Sequence, residues 1–339
     1  MSLRMRSVWQ RAVAGCLATC MFGSLSAATA SASAVTVPKK PGEYKLAESS
    51  LLQGRIEDAV MRLHALIAAN PKDAPSRLLL CRAYYAEDLI DEAVAACGEA
   101  LEQAPDNSQI EDWLGRAYGQ KADRSGPIAG YQLARKVKAA FESAVLHDPH
   151  NNDAISDLTD YYVDAPALVG GGMDKAYLLA DRVAAQCPQQ AHRTRALAAE
   201  KRHEFDTAER EFRDAVNVAL RPDAWVDLAA FYKRRHQEDK AMDALRHCLS
   251  ADPAHDAAIV DAATILHEMH RDPQLAEQTL RLYLDSNAKT DDAPAIKVHV
   301  LLSKMRAEAG DKAGAKIEVE AALTLAPHYA PARQALRQL

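Results

Sequence analysis

Glycine and aromatic residues are scarce in this sequence: there are 14 glycines, and Phe, Trp and Tyr together make up 6% of 339 residues. With 48% hydrophobic and 26% charged residues, the chain is too apolar to stay disordered and has enough material for a large core. An excess of positive charge is also missing. The 41 Lys and Arg against 47 Asp and Glu give a net charge of −6, which argues against nonspecific binding to the phosphates of a nucleic acid. No apolar run reaches the roughly 20 residues that a membrane span needs. The six cysteines follow no zinc-site spacing. The one triple glycine, Gly170 to Gly172, is not followed by G-K-[ST], so no phosphate loop is written there.

The first 34 residues differ from the rest. Arg4, Arg6 and Arg11 stand without an acid, an apolar run follows from Ala12 to about Leu25, and Ala32-Ser33-Ala34 closes the stretch with an A-x-A pattern. This predicts a secretory signal peptide cleaved near Ala34 and an exported chain, periplasmic or extracellular, with residues 35–42 as a linker. Its removal leaves 38 basic and 47 acidic residues, a net charge of −9. Cys81, Cys97, Cys187 and Cys248 then lie in an oxidising compartment.

From residue 43 the pattern repeats. Ala59 and Pro71 recur as Ala93 and Pro105, 34 residues on, within segments whose apolar residues return at helical three- and four-residue intervals. Leu114-Gly115…Tyr118…Phe141…Ala144…Pro149 and Trp225…Leu228-Ala229…Tyr232…Ala241…Leu245…Pro253 carry the fullest versions. These residues resemble the tetratricopeptide repeat family, whose consensus places a Trp, a Leu-Gly and a Tyr in a first helix and an Ala, a Phe and a terminal Pro in or after a second. In that register the second-helix alanine falls at Ala59, Ala93, Ala176, Ala208, Ala241, Ala276 and Ala315, with Val137 in the third repeat. The resemblance implies an all-α solenoid of about eight helical hairpins over residues 43–329, wound as a right-handed superhelix, with residues 330–339 as a capping helix.

Spacing marks two irregular repeats. Pro105 to Pro149 is 44 residues and Pro149 to Pro188 is 39, which predicts enlarged turns at about 120–131 and 165–172 on one edge of the stack. The second holds Leu168 and the three glycines, a turn resembling one found in some exported members of the family. It reads either as a chain reversal with Asp174 capping the next helix, the favoured reading, or as an anion site at that helix's N-terminus.

The resemblance also implies a concave groove, lined by first helices, that receives a peptide or protein. Transferred to this sequence, groove positions fall on Leu78, Arg82 and Tyr85, on Gln109, Asp112, Arg116 and Gln120, and on Ser156, Asp160 and Asp164. The Lys and Asn with which one subclass clamps a C-terminal carboxylate are absent, because those positions read Tyr44/Glu48, Leu78/Arg82 and Asp112/Arg116. Asp157, Asp160 and Asp164 read as a solvated acidic face. His267 and His270 read as helix surface and His147 and His150 as solvated turn residues. Cys81 and Cys97 could bridge, but the favoured reading is two buried thiols. No nucleophile, acid–base pair, cofactor motif or metal set emerges. The expectation is a noncatalytic scaffold that binds a protein or peptide, with a small-molecule or anion-binding module at the glycine turn as the alternative.

Overall fold

The structure, a computed structural model, describes residues 41–339, so the expected leader and its cleavage site lie outside the described residues. Among the described residues there are seventeen α-helices and no strand. They pair as antiparallel hairpins: α1 (Pro41–Leu52) with α2 (Ile56–Ala69), α3 (Ala74–Glu87) with α4 (Ile90–Gln103), α5 (Ser108–Asp123) with α6 (Pro127–His147), and α7 (Asn152–Asp164) with α8 (Met173–Val183). Then come α9 (Pro188–Lys201) with α10 (Phe205–Ala219), α11 (Pro222–Arg234) with α12 (Glu238–Ala251), α13 (Ala257–Glu268) with α14 (Pro273–Asp285), and α15 (Ala295–Glu308) with α16 (Lys312–Leu325), followed by α17 (Ala330–Gln338).

Local chemistry starts and stops these helices. Asn107, Asn151 and Asp311 accept bonds from the backbone N–H of Ile110, Ala154 and Gly314, each worth about 1 kcal/mol at a helix start. Proline opens α6, α9, α11 and α14, where its missing N–H costs nothing. The repeat register explains the stacking. Ala59, Ala93, Val137, Ala176, Ala208, Ala241, Ala276 and Ala315 are all 0% exposed, so the one position that recurs in every second helix is where helices press together. Gly115 serves the same end in α5: a Cβ there would lie 2.5 Å from the Phe141 ring of α6.

Three expectations change. Cys81 and Cys97 form a disulfide, with Cα atoms 5.2 Å apart, and are not two thiols. Antiparallel α3 and α4 bring these positions to one level, inside the separation that a bridge requires. Closing a loop of this length is worth about 3 kcal/mol in the chain-entropy picture. Reduction, or Cys81→Ser with Cys97→Ser, is therefore expected to lower the unfolding midpoint of the N-terminal repeats, measured by urea melts with and without dithiothreitol. Cys187 and Cys248 stay free and buried, and burial pushes both thiols up.

The ten extra residues of the third repeat do not make a loop. They extend α5 to Asp123 and start α6 at Pro127, leaving a turn of three residues. Pro127 at the first helical position favours this continuation. The turn at 165–172 does stay irregular, with a short 3-10 stretch at Ala167–Val169 that packs on the lengthened α6. Asp174 does not cap α8; Gly172 holds the cap position, and Asp174 pairs with Arg202 at 2.5 Å.

The stack also closes on itself. Ile296, Val319, Ala322, Ala326, Tyr329 and Ala332 share one buried cluster with Ala47, Leu51, Leu63 and Leu79. A Cβ on Gly54, in the α1–α2 turn, would lie 2.8 Å from Ile296 Cγ2 and 3.1 Å from its backbone nitrogen. The last hairpin thus sits against the first, and α17 helps seal a seam between the two ends. At that seam a cavity of about 470 Å³ is lined by Met61, Tyr84, Leu89 and His328.

Candidate functional site

First helices stacked side by side place residues about one repeat apart next to each other, and the groove is built from such pairs. Arg193 of α9 reaches back to Asp160 of α7 at 3.1 Å and forward to Asp227 of α11 at 2.9 Å. Gln189 bonds Asp223 at 3.0 Å, Lys201 pairs with Asp164 at 3.0 Å, Arg234 takes Glu200 at 2.5 Å, and Lys233 pairs with Glu268. Asp160 and Asp164 are therefore paired and not part of a solvated face. Asp160 is 2% exposed, and burial holds its carboxyl above the ordinary value while Arg193 opposes. These ladders tie neighbouring repeats together and fix the groove wall. Beside them, a cavity of about 190 Å³ is lined by Ser156, Gln190, Arg193, Arg221, Asp227 and Lys233, among others.

In the second and third repeats the groove holds a second cluster. Trp113 of α5 is buried against Tyr85 of α3 edge to face at 5.4 Å, with the Arg116 guanidinium 4.7 Å and the Arg82 guanidinium 5.7 Å from its centroid. Stacking on the ring leaves the edge N–H groups of a guanidinium to face carboxylates. Arg116 contacts Asp157 at 2.5 Å and Asp112 at 3.2 Å. Burial disfavours the charge on Arg116, but Asp112 and Asp157 outweigh it and hold the guanidinium above its usual range. The same burial pushes Asp112 up, with Arg116 opposing.

Both arginines also reach across to the connection before the last hairpin. Arg82 pairs with Asp291, and Arg116 Nη1 lies 3.4 Å from Asp292. Lys297, at the start of α15, sits 5.6 Å above the Tyr85 ring. Of the groove residues expected from sequence, the structure brings Arg82, Tyr85, Asp112 and Arg116 together. Leu78 is core at 6% exposure, and Gln120 bonds Asp88 at 2.7 Å. Gln109 is exposed and Ser156 half-buried, while Leu168 stands outward at 66% exposure. Trp113, Asp291 and Asp292 were missed. Trp113 falls between the transferred groove positions. The acidic pair lies in a connection that the repeat pattern does not describe.

The N–H groups of the three glycines are already taken up within the turn. The N–H groups of Gly170, Gly171 and Gly172 donate to the carbonyls of Ala167, Pro166 and Tyr162 at 3.0, 3.2 and 2.8 Å, and Lys175 Nζ donates to the Gly170 carbonyl. Tyr161, fully buried, ties the turn to α6 with a single hydroxyl proton shared between the carbonyls of Ala134 and Val169, at 2.9 and 2.8 Å. A Cβ on Gly171 would fall 1.8 Å from the Ala165 carbonyl oxygen, inside any allowed contact. Gly171→Ala must move the backbone and is expected to cost about 2–4 kcal/mol, seen as a lower thermal midpoint by circular dichroism.

Some of the histidines are placed differently from the expectation. His147 is not solvated, because its Nδ1 lies 2.7 Å from Glu111 Oε2. His150 is exposed. α13 ends before His270, which has φ 52°, so His267 and His270 do not share one helix face. His267 instead pairs with Glu308 at 3.0 Å. Among the described residues, His192, Glu211 and Asp214 bring ligand-type atoms within 4.8 Å of one another, with His192 Nδ1 2.8 Å from Glu211 Oε2. No described helix is long and apolar enough to cross a membrane.

Tetratricopeptide repeat sequences match residues 50–116 and residues 222–255. No curated protein matches the chain in sequence. Yeast Tom70 resembles it in structure with a TM-score of 0.51 at 16% identity, over 88% of this chain and 64% of that one. A thermophilic TPR protein from Thermus thermophilus is similar with a TM-score of 0.44 at 16% identity, over 67% of this chain and 98% of that one. A tetratricopeptide repeat protein from Parabacteroides merdae has a TM-score of 0.42 at 13% identity, over 87% and 96%. With two separate segments matched and the same helical hairpin carried through the described residues, the chain carries tetratricopeptide repeats in an all-α helical-repeat fold.

Proposed function

We propose that this protein is a noncatalytic interaction scaffold of the periplasm or cell envelope that holds a polypeptide partner in its groove. The observation that carries the reading is the Arg82–Tyr85–Trp113–Arg116 cluster. Two guanidinium groups on an aromatic platform, on neighbouring first helices, already grip one non-helical stretch of chain through Asp291 and Asp292. Such a surface suits carboxylate-bearing polypeptide, because a guanidinium offers several N–H donors in fixed geometry. The Cys81–Cys97 disulfide supports export, since such a bond persists outside the reducing cytosol. Noncatalytic action is supported by the charges of the groove wall, where Arg193, Asp160, Asp227, Arg234 and Glu200 are spent on inter-repeat pairs.

Photocrosslinking amino acids at Gln109, Ser156 and Leu168, introduced in cells, test the reading. A discrete protein adduct from the groove positions, with the protein in the periplasmic or envelope fraction, is the expected result. Absence of adducts at all three sites would overturn it.

A further inference from the structure

The connection between α14 and α15 is nine residues long, Ser286 to Pro294, where most hairpins of this stack follow one another after four. It does not loop into solvent. Tyr283, fully buried at the end of α14, donates its hydroxyl to the Ala293 carbonyl at 2.7 Å and accepts from the Thr290 N–H at 2.9 Å, so the strap is gathered around one phenol. Lys289 is 7% exposed and Asp291 8% exposed, unusual burial for charged residues in a connection. The strap presents Asp291 to Arg82 and Asp292 to Arg116 over the Trp113 platform.

We propose that Ser286–Pro294 is an internal pseudo-ligand, and that the partner which takes its place is an acidic peptide carrying two adjacent carboxylates. This rests on the groove-scaffold reading above and adds to it the chemical class of the partner and the occupant it must displace. One feature argues that the strap is a replaceable occupant. Its seat is imperfectly satisfied: Arg82 Nε, Asp291 Oδ1 and Thr290 Oγ1 are buried without hydrogen-bond partners, a deficit that a better-matched ligand removes. It is also joined to the fold by covalent ends at Asp285 and Ala295, so the carboxylates act as a tethered ligand, at an effective concentration on the order of mM. An outside peptide meets only the fraction of grooves whose strap is released, and its apparent affinity falls by that fraction. The charge pattern selects the partner. Arg82 and Arg116 face two successive aspartates, and a basic or neutral segment would leave Arg82 without its Asp291 counter-charge, while Arg116 would keep only Asp112 and Asp157 of the groove wall.

The test uses the mature chain and a fluorescein-labelled peptide copying residues 286–295, SNAKTDDAPA, followed by fluorescence polarisation at low salt. Asp291→Asn with Asp292→Asn weakens the strap while leaving the groove intact. The double variant is expected to bind the peptide at least about tenfold more tightly than the wild type, as removal of a competing occupant requires. A control peptide with Asn at both aspartate positions should not bind, and 0.5 M salt should release the acidic one. Equal affinity in wild type and variant, or no binding by a variant whose circular dichroism is unchanged, would overturn the proposal. The two readings then separate. Crosslinked partner protein without peptide binding leaves the scaffold standing and removes the pseudo-ligand, whereas peptide binding without any cellular adduct removes the scaffold role and keeps the acidic-peptide site.

Discussion

Gly54→Val is expected to open the closed stack. Gly54 has φ +81°, in the left-handed region that a β-branched residue resists, and its missing Cβ leaves the space in which Ile296 and Leu325 of the last hairpin sit. The substitution combines a backbone cost with overpacking against Ile296 backbone, together about 2–4 kcal/mol. The seam can avoid the clash only by parting, because the backbone of α15 is not free to give way as a side-chain tip would. Small-angle scattering should show a larger radius of gyration, and hydrogen exchange should quicken in α1, α15 and α17. Gly98→Ala is the control: nothing lies within 4 Å of its Cβ position, and an alanine favours a helix interior. An unchanged scattering profile for Gly54→Val would mean that the two ends do not hold each other.

Why the sequence announced the hairpins but not this closure has a physical cause. A small residue every 34 positions is a local requirement, imposed wherever two helices of neighbouring units touch, and so Ala59, Ala93 and their counterparts could be read directly. Closure depends on curvature summed over all the repeats, and no single residue states it. Residues 330–339 read as a capping helix, yet Ala332, with Tyr329 just before that helix, is buried with α1 and α2 because the other end of the chain arrives there. Ten extra residues between Pro105 and Pro149 looked like a loop, since an insertion does not say whether it continues a helix; Pro127 at a helix start was the available sign. The strap left a trace as well. Ala276 to Ala315 is 39 positions, five beyond the period, and the repeat near Asp285 lacks its closing proline. That flagged an insertion without saying where its aspartates went. Groove positions were legible as positions only. Whether Asp160 faces a partner or Arg193 is settled by what the next repeat places 33 residues later.

Arg193→Met should be the most damaging single substitution in the groove wall. Arg193 is 5% exposed and bridges three consecutive first helices through Asp160 and Asp227. Removing one member of a buried ion pair costs about 3–5 kcal/mol, because the carboxylate left behind stays desolvated without its counter-charge. The pH dependence identifies the cause. Burial already holds the Asp160 carboxyl above its ordinary value with Arg193 present, and losing Arg193 raises it further. A carboxyl whose folded pKa lies above the unfolded one destabilises the fold when ionised, so this penalty is full above the raised folded value and fades as pH falls through it. The stability deficit of Arg193→Met relative to the wild type should therefore be larger at pH 7.5 than at pH 5, in urea melts at both values. Adding Asp160→Asn, which removes the stranded charge while keeping a hydrogen-bonding side chain, should recover part of the loss at pH 7.5 and little at pH 5. A deficit that is the same at both pH values would assign the damage to lost packing of the arginine stem, and the ion ladder would then be a consequence of how the repeats stack instead of what holds them in register.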